Sequence, residues 1–151
     1  MGTNVLRTGL REIVAAVAAA GGLAVYVITS TTGYLAGRPL NPLVVAVTLL
    51  AVAALVVDVT LRDRLGAVVR DVLLVGSVAA LSAGFAVFLL ARVPLAADVY
   101  FIPVNYPAAE ATTLHVSFVG LGLYLVAVVA LVVESFATRR DRLPAPRAAV
   151  A

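Results

Sequence analysis

Four long stretches without a charged residue divide this chain, and they constrain its fold more than any other feature. Each stretch is about as long as the ~20 helical residues that cross the ~30 Å hydrocarbon core of a bilayer. Hydrophobic residues make up 63% of the sequence, whereas soluble domains contain roughly 45–50%. The pattern therefore predicts four transmembrane helices. The uncharged stretches are residues 13–37, 39–57, 72–91 and 111–133.

The predicted fold class is an all-α integral membrane protein, a four-transmembrane-helix bundle that forms one domain over residues 1–151. Four spans leave only short loops and tails, so no separate soluble domain fits. The first uncharged run continues for 25 residues from Ile13. Because a cleaved signal segment has only ~7–15 apolar residues, we expect this run to remain as a helix. The predicted spans are about 13–35, 43–61, 72–93 and 113–136, with an outer loop at 94–112.

The basic residues lie mainly on one side of these spans. All eleven are arginines, and only Arg38 and Arg92 flank the loops on the opposite side. The positive-inside rule therefore places both termini and the middle loop in the cytoplasm, and topology rather than a nucleic-acid partner explains the net charge of +3. The exclusive use of arginine, with abundant alanine and valine, is typical of a GC-rich bacterial genome, so we expect a multi-pass protein of the bacterial cell membrane. The other arginines are Arg7, Arg11, Arg62, Arg64, Arg70, Arg139, Arg140, Arg142 and Arg147.

Small residues in the last two spans indicate where helices pack closely. Gly76, Ala80 and Gly84 are spaced four apart in the third span, and Gly120 and Gly122 lie in the fourth. Small residues at this spacing let two helix backbones approach. We expect the third and fourth spans to touch along these faces, with self-association of two copies as the alternative.

Charged residues at the cytoplasmic ends of the spans predict a network of ion pairs. Asp58 and Arg62 are four residues apart, which puts both side chains on one face of a helix. Glu134 has no basic residue three or four positions further on, so Arg11 or Arg70 from another helix is its expected partner. A proton or ion relay is the alternative, but functional acids in transporters lie deeper in the membrane.

The outer loop carries most of the candidate ligand-binding or partner-binding residues. Its aromatic residues suit either anchoring at the lipid headgroups or recognition of a polar ligand such as a sugar. His115 is the sole histidine and cysteine is absent, so only Asp98 and Glu110 could join it around a divalent ion, and no close spacing supports such a site. No cofactor or metal is expected. The candidate residues are Asp98, Tyr100, Asn105, Tyr106, Glu110 and His115.

Through the segment ADVYFIPVNYPAAE, residues 97–110, the chain resembles uncharacterised small four-helix membrane proteins of high-GC Gram-positive bacteria. The resemblance covers the second half of the chain and attaches to no named family. It implies an accessory role in sugar handling and supplies no functional residues.

Three functional classes fit these features, and none has a catalytic constellation behind it. The favoured one is an accessory or interaction subunit that contacts the lipid bilayer and a membrane-protein partner or further copies of itself. The second is a small oligomeric transporter or channel, which needs polar groups at mid-depth. The third is a membrane enzyme that uses Asp98, Glu110 and His115 as acids and bases, which requires these three side chains to converge.

Overall fold

A computed structural model describes residues 2–37, 39–102 and 108–141, with side chains described between residues 9 and 137 of those ranges. Four helices account for most of these residues. Each of the four is long and apolar enough to cross a membrane. The helices are α1 (Gly2–Thr31), α2 (Pro42–Thr60), α3 (Ala67–Phe101) and α4 (Ala108–Asp141), and a 3-10 turn occupies Gly33–Leu35 between α1 and α2.

The connection between α1 and α2 begins earlier than the sequence predicts. The predicted first span continues to residue 35, but α1 ends at Thr31. Gly33 adopts a φ of 65°, a left-handed conformation that ends the helix and that glycine adopts without strain. Asn41 then caps α2, because its Oδ1 accepts the backbone N–H of Leu43 at 3.0 Å, and Pro42 takes the first helical position.

Buried positions recur at intervals of three and four residues along the helices. This spacing is the 3.5-residue repeat of helices that pack side by side with a slight left-handed supercoil. The main neighbours of α1 are α2 and α4, and the main neighbours of α3 are also α2 and α4, so the four helices form a ring. The series is clearest in α3, with Leu74, Ser77, Leu81, Gly84, Phe88, Arg92, Leu95 and Val99 buried.

The third helix is longer than predicted, and the expected loop at 94–112 is correspondingly shorter. Pro94 lies inside α3, which continues to Phe101, and α4 already begins at Ala108. Leu95 and Val99 are buried against a small apolar cluster with Leu35 and Leu114. Their packing offsets the hydrogen bond that proline removes from the helix. The candidate residues Asn105 and Tyr106 lie outside the described residues.

Close helix contacts involve only some of the predicted small residues. A Cβ on Gly120 would lie 2.7 Å from Val25 Cγ1 and 3.0 Å from Phe88 Cε1, and one on Gly84 would lie 3.3 Å from Thr48 Oγ1. Ala80 packs partly buried against the main apolar cluster. Gly76 and Gly122 have no atom within 4 Å of such a Cβ, so their predicted role in packing within the bundle is wrong.

A close contact between α1 and α4 also involves Gly22, which the sequence did not indicate. A Cβ on Gly22 would lie 2.7 Å from Tyr124 Cδ2 and 3.1 Å from the carbonyl oxygen of Gly120. Gly22 and Gly120 therefore face each other at a close approach of α1 and α4. This contact fixes α1 against α4 halfway along the bundle.

Candidate functional site

Most buried polar side chains of the described residues lie near the two ends of the bundle. The Glu12 end comprises Glu12, Asp58 and Glu134 with the arginines that contact them. The Arg92 end comprises Arg92 with the hydroxyl groups of Thr29, Ser30 and Ser117. Because successive helices run in opposite directions, all four helices contribute to the packing at both ends.

At the Glu12 end, ion pairs join the four helices. Arg62 Nη2 donates to Glu12 Oε1 at 2.7 Å, and Arg70 Nε donates to Asp58 Oδ1 at 3.0 Å. Arg70 Nη2 also lies 3.9 Å from Glu12 Oε1, so one guanidinium contacts carboxylates of both α1 and α2. Buried ion pairs of this kind are costly to break, because removing one partner leaves a charge without compensation.

Glu134 completes this group of ion pairs on α4. Arg11 Nη1 lies 3.3 Å from Glu134 Oε2, and the Glu134 side chain is 1% exposed. Arg11 is one of the two partners that the sequence suggested. Glu12 Oε2 has no hydrogen-bond partner among the described residues, although it is fully buried.

The expected pair of Asp58 with Arg62 is wrong. Asp58 instead contacts Arg70, the first arginine of α3, and Arg62 contacts Glu12. The prediction assumed that Arg62 continues the helix of Asp58, but α2 ends at Thr60 and residue 61 already begins the turn. The chain therefore turns Arg62 away from the helix face of Asp58 and towards α1.

The Arg92 end contains a buried arginine that the sequence interpretation treated only as a marker of topology. Arg92 is 5% exposed. Its Nε donates to Ser117 Oγ at 3.0 Å, and its Nη2 donates to Thr29 Oγ1 at 2.9 Å and to Ser30 Oγ at 2.6 Å. The guanidinium carbon also lies 5.5 Å from the ring centre of Tyr26 and 5.2 Å from that of Phe88, within the range of cation–π attraction.

The position of Arg92 in α3 explains its burial. Phe88, Arg92 and Leu95 follow one another at intervals of four and three residues, so they share the face of α3 that points into the bundle. The same spacing is present in the sequence. It indicates that Arg92 points inward once the third helix continues past residue 93 to Leu95. The sequence also contains the hydroxyls of Thr29 and Ser30 at the end of α1, but it predicts only that they bond to their own helix or to a neighbouring one.

A cleft of about 420 Å³ opens beside the Arg92 end, between α1, the following turn and the start of α4. Thr29 lines this cleft and also accepts a hydrogen bond from Arg92. Three more hydroxyls line it, and each donates to a carbonyl of its own helix at 2.6–2.8 Å. The cleft therefore has a polar rim, and the Thr29 hydroxyl links this rim to the buried guanidinium of Arg92. The three residues are Thr32, Thr112 and Thr113.

The predicted outer-loop residues do not converge in the part of the chain that the structure describes. Tyr100 and His115 are exposed, and Asp98 and Glu110 are half-buried. No hydrogen bond, ion pair or ring contact joins these four side chains to one another, and none lines the cleft beside Arg92. Within the described ranges, no three acidic, histidine or cysteine side chains form a group able to hold a metal ion.

Between the two ends, aromatic side chains fill the bundle. Phe88 contacts the rings of Tyr26 and Tyr124 edge-on, with ring centres 4.9 Å and 6.1 Å apart. The Tyr124 hydroxyl lies 2.6 Å from Thr48 Oγ1. Since Thr48 donates to the carbonyl of Val44, Tyr124 is the donor in this bond. These contacts close the middle of the bundle with satisfied polar groups.

Comparison with protein-family models, with curated proteins and with solved structures finds no match to this chain. The roles of the Glu12 end and the Arg92 end are therefore inferred from their own residues. Four helices long and apolar enough to cross a membrane are typical of a multi-pass membrane protein.

Proposed function

We propose that this chain is an accessory or interaction subunit of the bacterial cell membrane, with the Glu12 end in the cytoplasm. The observation that best supports this proposal is the filled interior of the bundle. Phe88, Tyr124 and Leu81 are each 0% exposed and fill the middle of the bundle, so a single copy offers no passage for a solute. Transport by one copy needs a polar pathway at that depth, and the aromatic packing opposes it.

The outer surface supports a binding role. Large apolar side chains are exposed along all four helices, among them Leu50 at 67% and Leu90 at 68%. Lipid tails cover such a surface, and so does another membrane protein. Gly76 and Gly122 lie on this surface with open space around them, so a neighbouring helix can approach α3 or α4 there without rearrangement of the bundle.

The orientation rests on the arginine distribution and the helix ends. In the sequence, nine arginines precede the first span, lie between the second and third spans or follow the fourth, and those of them that the structure describes lie at the Glu12 end of the bundle. Cytoplasmic segments carry this excess of positive charge. The opposite end then faces outward, with the Arg92 cleft and the exposed aromatics Tyr100 and Phe101.

Purification of the tagged full chain from its native membranes in mild detergent tests the interaction role. We expect a stoichiometric membrane-protein partner, or a homo-oligomer, to be recovered with it. Gly76→Leu and Gly122→Leu each add a side chain where the bundle has space, so loss of the partner in one variant but not the other identifies the contact face. Recovery of a monomer alone would overturn the proposal.

The orientation has its own test, because the chain contains no cysteine. Single cysteines at the exposed positions Ala97 and Ala109 mark the Arg92 end, and one at Ala67 marks the Glu12 end. We expect an impermeant thiol reagent added to intact cells to label the first two and not the third. Labelling of Ala67→Cys alone would reverse the orientation.

A further inference from the structure

We propose that the Arg92 end binds the phosphate group of an anionic phospholipid, which reaches the Arg92 guanidinium through the cleft between α1 and α4. The inference uses the membrane location proposed above and does not depend on a protein partner. It concerns a ligand site that the outer-loop candidates do not include.

The first argument is the charge of Arg92. The side chain is 5% exposed, and no carboxylate of the described residues forms an ion pair with it. Serine and threonine hydroxyls and two aromatic rings solvate it in part. A buried cation without an anion is costly in an apolar environment. An anion bound beside it would remove that cost.

The second argument is the number of unused donors on Arg92. Arginine has five N–H groups, and Arg92 directs the one on Nε and the two on Nη2 to hydroxyl groups. The two N–H groups on Nη1 form no hydrogen bond within the described part of the chain. These two N–H groups are therefore the donors left for an anion, and hydrogen bonds from a charged guanidinium to phosphate or carboxylate oxygens are strong.

The third argument is access. The cleft of about 420 Å³ is separated from the guanidinium by Thr29, whose hydroxyl accepts from Arg92 Nη2 at 2.9 Å. The hydroxyls of Thr32, Thr112 and Thr113 line the same cleft. A threonine hydroxyl that donates to its own helix can rotate to donate to a bound anion instead. The cleft thus offers further donors for phosphate oxygens.

The fourth argument favours a lipid over a soluble anion. Ile28 and Val116 form the apolar part of this cleft. Ile28 also lines a second, apolar cleft of about 410 Å³ between α1 and α2, which includes Leu23, Val27 and Leu49. A polar site that adjoins an apolar groove on the outer surface fits a phosphate joined to acyl chains. Basic pockets between transmembrane helices bind anionic headgroups by the same chemistry.

The test uses the purified, delipidated full chain in a non-ionic detergent, with thermal unfolding followed by circular dichroism. Phosphatidylglycerol is compared with phosphatidylcholine of the same acyl chains and with soluble glycerol 1-phosphate. We expect phosphatidylglycerol at about tenfold its dissociation constant to raise Tm by roughly 3–6 °C. We expect phosphatidylcholine and glycerol 1-phosphate to leave Tm within about 1 °C.

Two variants assign the effect to this site. Arg92→Met removes the cation, and Ala109→Trp fills the cleft that Ala109 lines without touching Arg92. We expect both to lose the phosphatidylglycerol shift, and Ala97→Trp, at an exposed position of α3 near the same end, to keep it. If Arg92→Met does not fold, Ala109→Trp still decides the question.

Three results would overturn the proposal. Equal shifts with the two lipids would show that the headgroup charge is not recognised. A full shift with glycerol 1-phosphate alone would assign the site to a soluble anion. A phosphatidylglycerol shift that persists in Ala109→Trp and in folded Arg92→Met would place lipid binding elsewhere on the protein.

Discussion

At the Glu12 end, three buried carboxylates lie against three arginines, whereas at the Arg92 end a single buried arginine lies among hydroxyl groups and aromatic rings. Both ends bury charge where the helices leave the apolar middle. The first end balances its charges within the chain, and the second does not. Buried charge is thus stabilised by ion pairs at the Glu12 end, and by neutral hydroxyls and aromatic rings at the Arg92 end.

This difference separates structural charge from charge that is available to a ligand. Arg62, Arg70 and Arg11 each have a carboxylate at 2.7–3.3 Å, so an added anion gains little at the Glu12 end. Among the described residues, Arg92 has only neutral partners, and its two Nη1 N–H groups form no hydrogen bond with them. Neutral hydroxyls can be exchanged for an anion at small cost, because Thr29 and Ser117 also donate to backbone carbonyls.

The largest expected effect comes from Arg62→Met at the Glu12 end. The Glu12 side chain is 1% exposed and would keep only Arg70, whose Nη2 is 3.9 Å away. Removing one partner of a buried pair costs ~3–5 kcal/mol. Because Arg62 is 16% exposed and water can enter, we expect the free energy of unfolding to fall by about 2–3 kcal/mol. Unfolding with sodium dodecyl sulfate in mixed micelles measures it.

Arg64→Met is the matched control for this change. Arg64 lies in the same turn with an exposed side chain and forms no ion pair within the described residues. We expect its free energy of unfolding to stay within about 0.5 kcal/mol of the parent. In addition, Glu12→Gln combined with Arg62→Met should unfold less easily than Arg62→Met alone, because a buried amide costs less than a buried carboxylate. Equal losses for Arg62→Met and Arg64→Met would remove the contrast between the two ends.

Gly120→Ala measures how much a packing defect without any change of charge destabilises the bundle, for comparison with the arginine variants. The added Cβ would lie 2.7 Å from Val25 Cγ1 and 3.0 Å from Phe88 Cε1, and overpacking of this kind costs about 1–3 kcal/mol. Gly122→Ala, two residues away, meets open space and should be neutral or stabilise the helix by up to ~1 kcal/mol. The same detergent titration measures both. A similar loss for the two variants would mean that α1 and α4 are not closely packed at Gly120.

The number of helices and their approximate positions could be predicted from the sequence, because uncharged runs of this length rarely occur outside membrane-spanning helices. The end of α3 could not, since Pro94 suggested a loop while the burial of Leu95 and Val99 keeps the helix intact. Gly120 and Gly122 were both expected at contacts, but residues two apart lie on nearly opposite faces of a helix, so only one could point inward.

The candidate site was harder to predict than the fold. In the sequence Arg92 is a charge that flanks a span, and only the 3.5-residue repeat from Phe88 through Leu95 shows that it points inward. Its partners come from α1 and α4, 62 and 25 residues away in sequence for Ser30 and Ser117. Contacts over such separations depend on how the helices pack, which spacing within one helix does not contain.

A smaller effect is expected from Tyr124→Phe, which removes one neutral hydrogen bond from the middle of the bundle. The Tyr124 hydroxyl lies 2.6 Å from Thr48 Oγ1, and hydrogen bonds between membrane helices contribute on average about 0.6 kcal/mol. Thr48→Val should cost a similar amount, and the double variant little more than either single one. A double-mutant cycle in the detergent titration measures this coupling. Additive losses would show that the two hydroxyls do not interact.

Arg92→Met should change stability much less than Arg62→Met does, although Arg92 is the most buried arginine of the described residues. Thr29 and Ser117 would keep their bonds to the carbonyls of Val25 and Thr113, at 2.7 Å and 2.8 Å, and only the Ser30 hydroxyl would lose its partner. Loss of the cation–π contacts costs about 0.5–2 kcal/mol, and relief of the uncompensated charge offsets it. We therefore expect a change within about 1 kcal/mol in lipid-free detergent. If the free energy of unfolding falls as much as in Arg62→Met, the hydroxyls and rings already stabilise Arg92 fully. Neither end of the bundle would then gain from a bound anion.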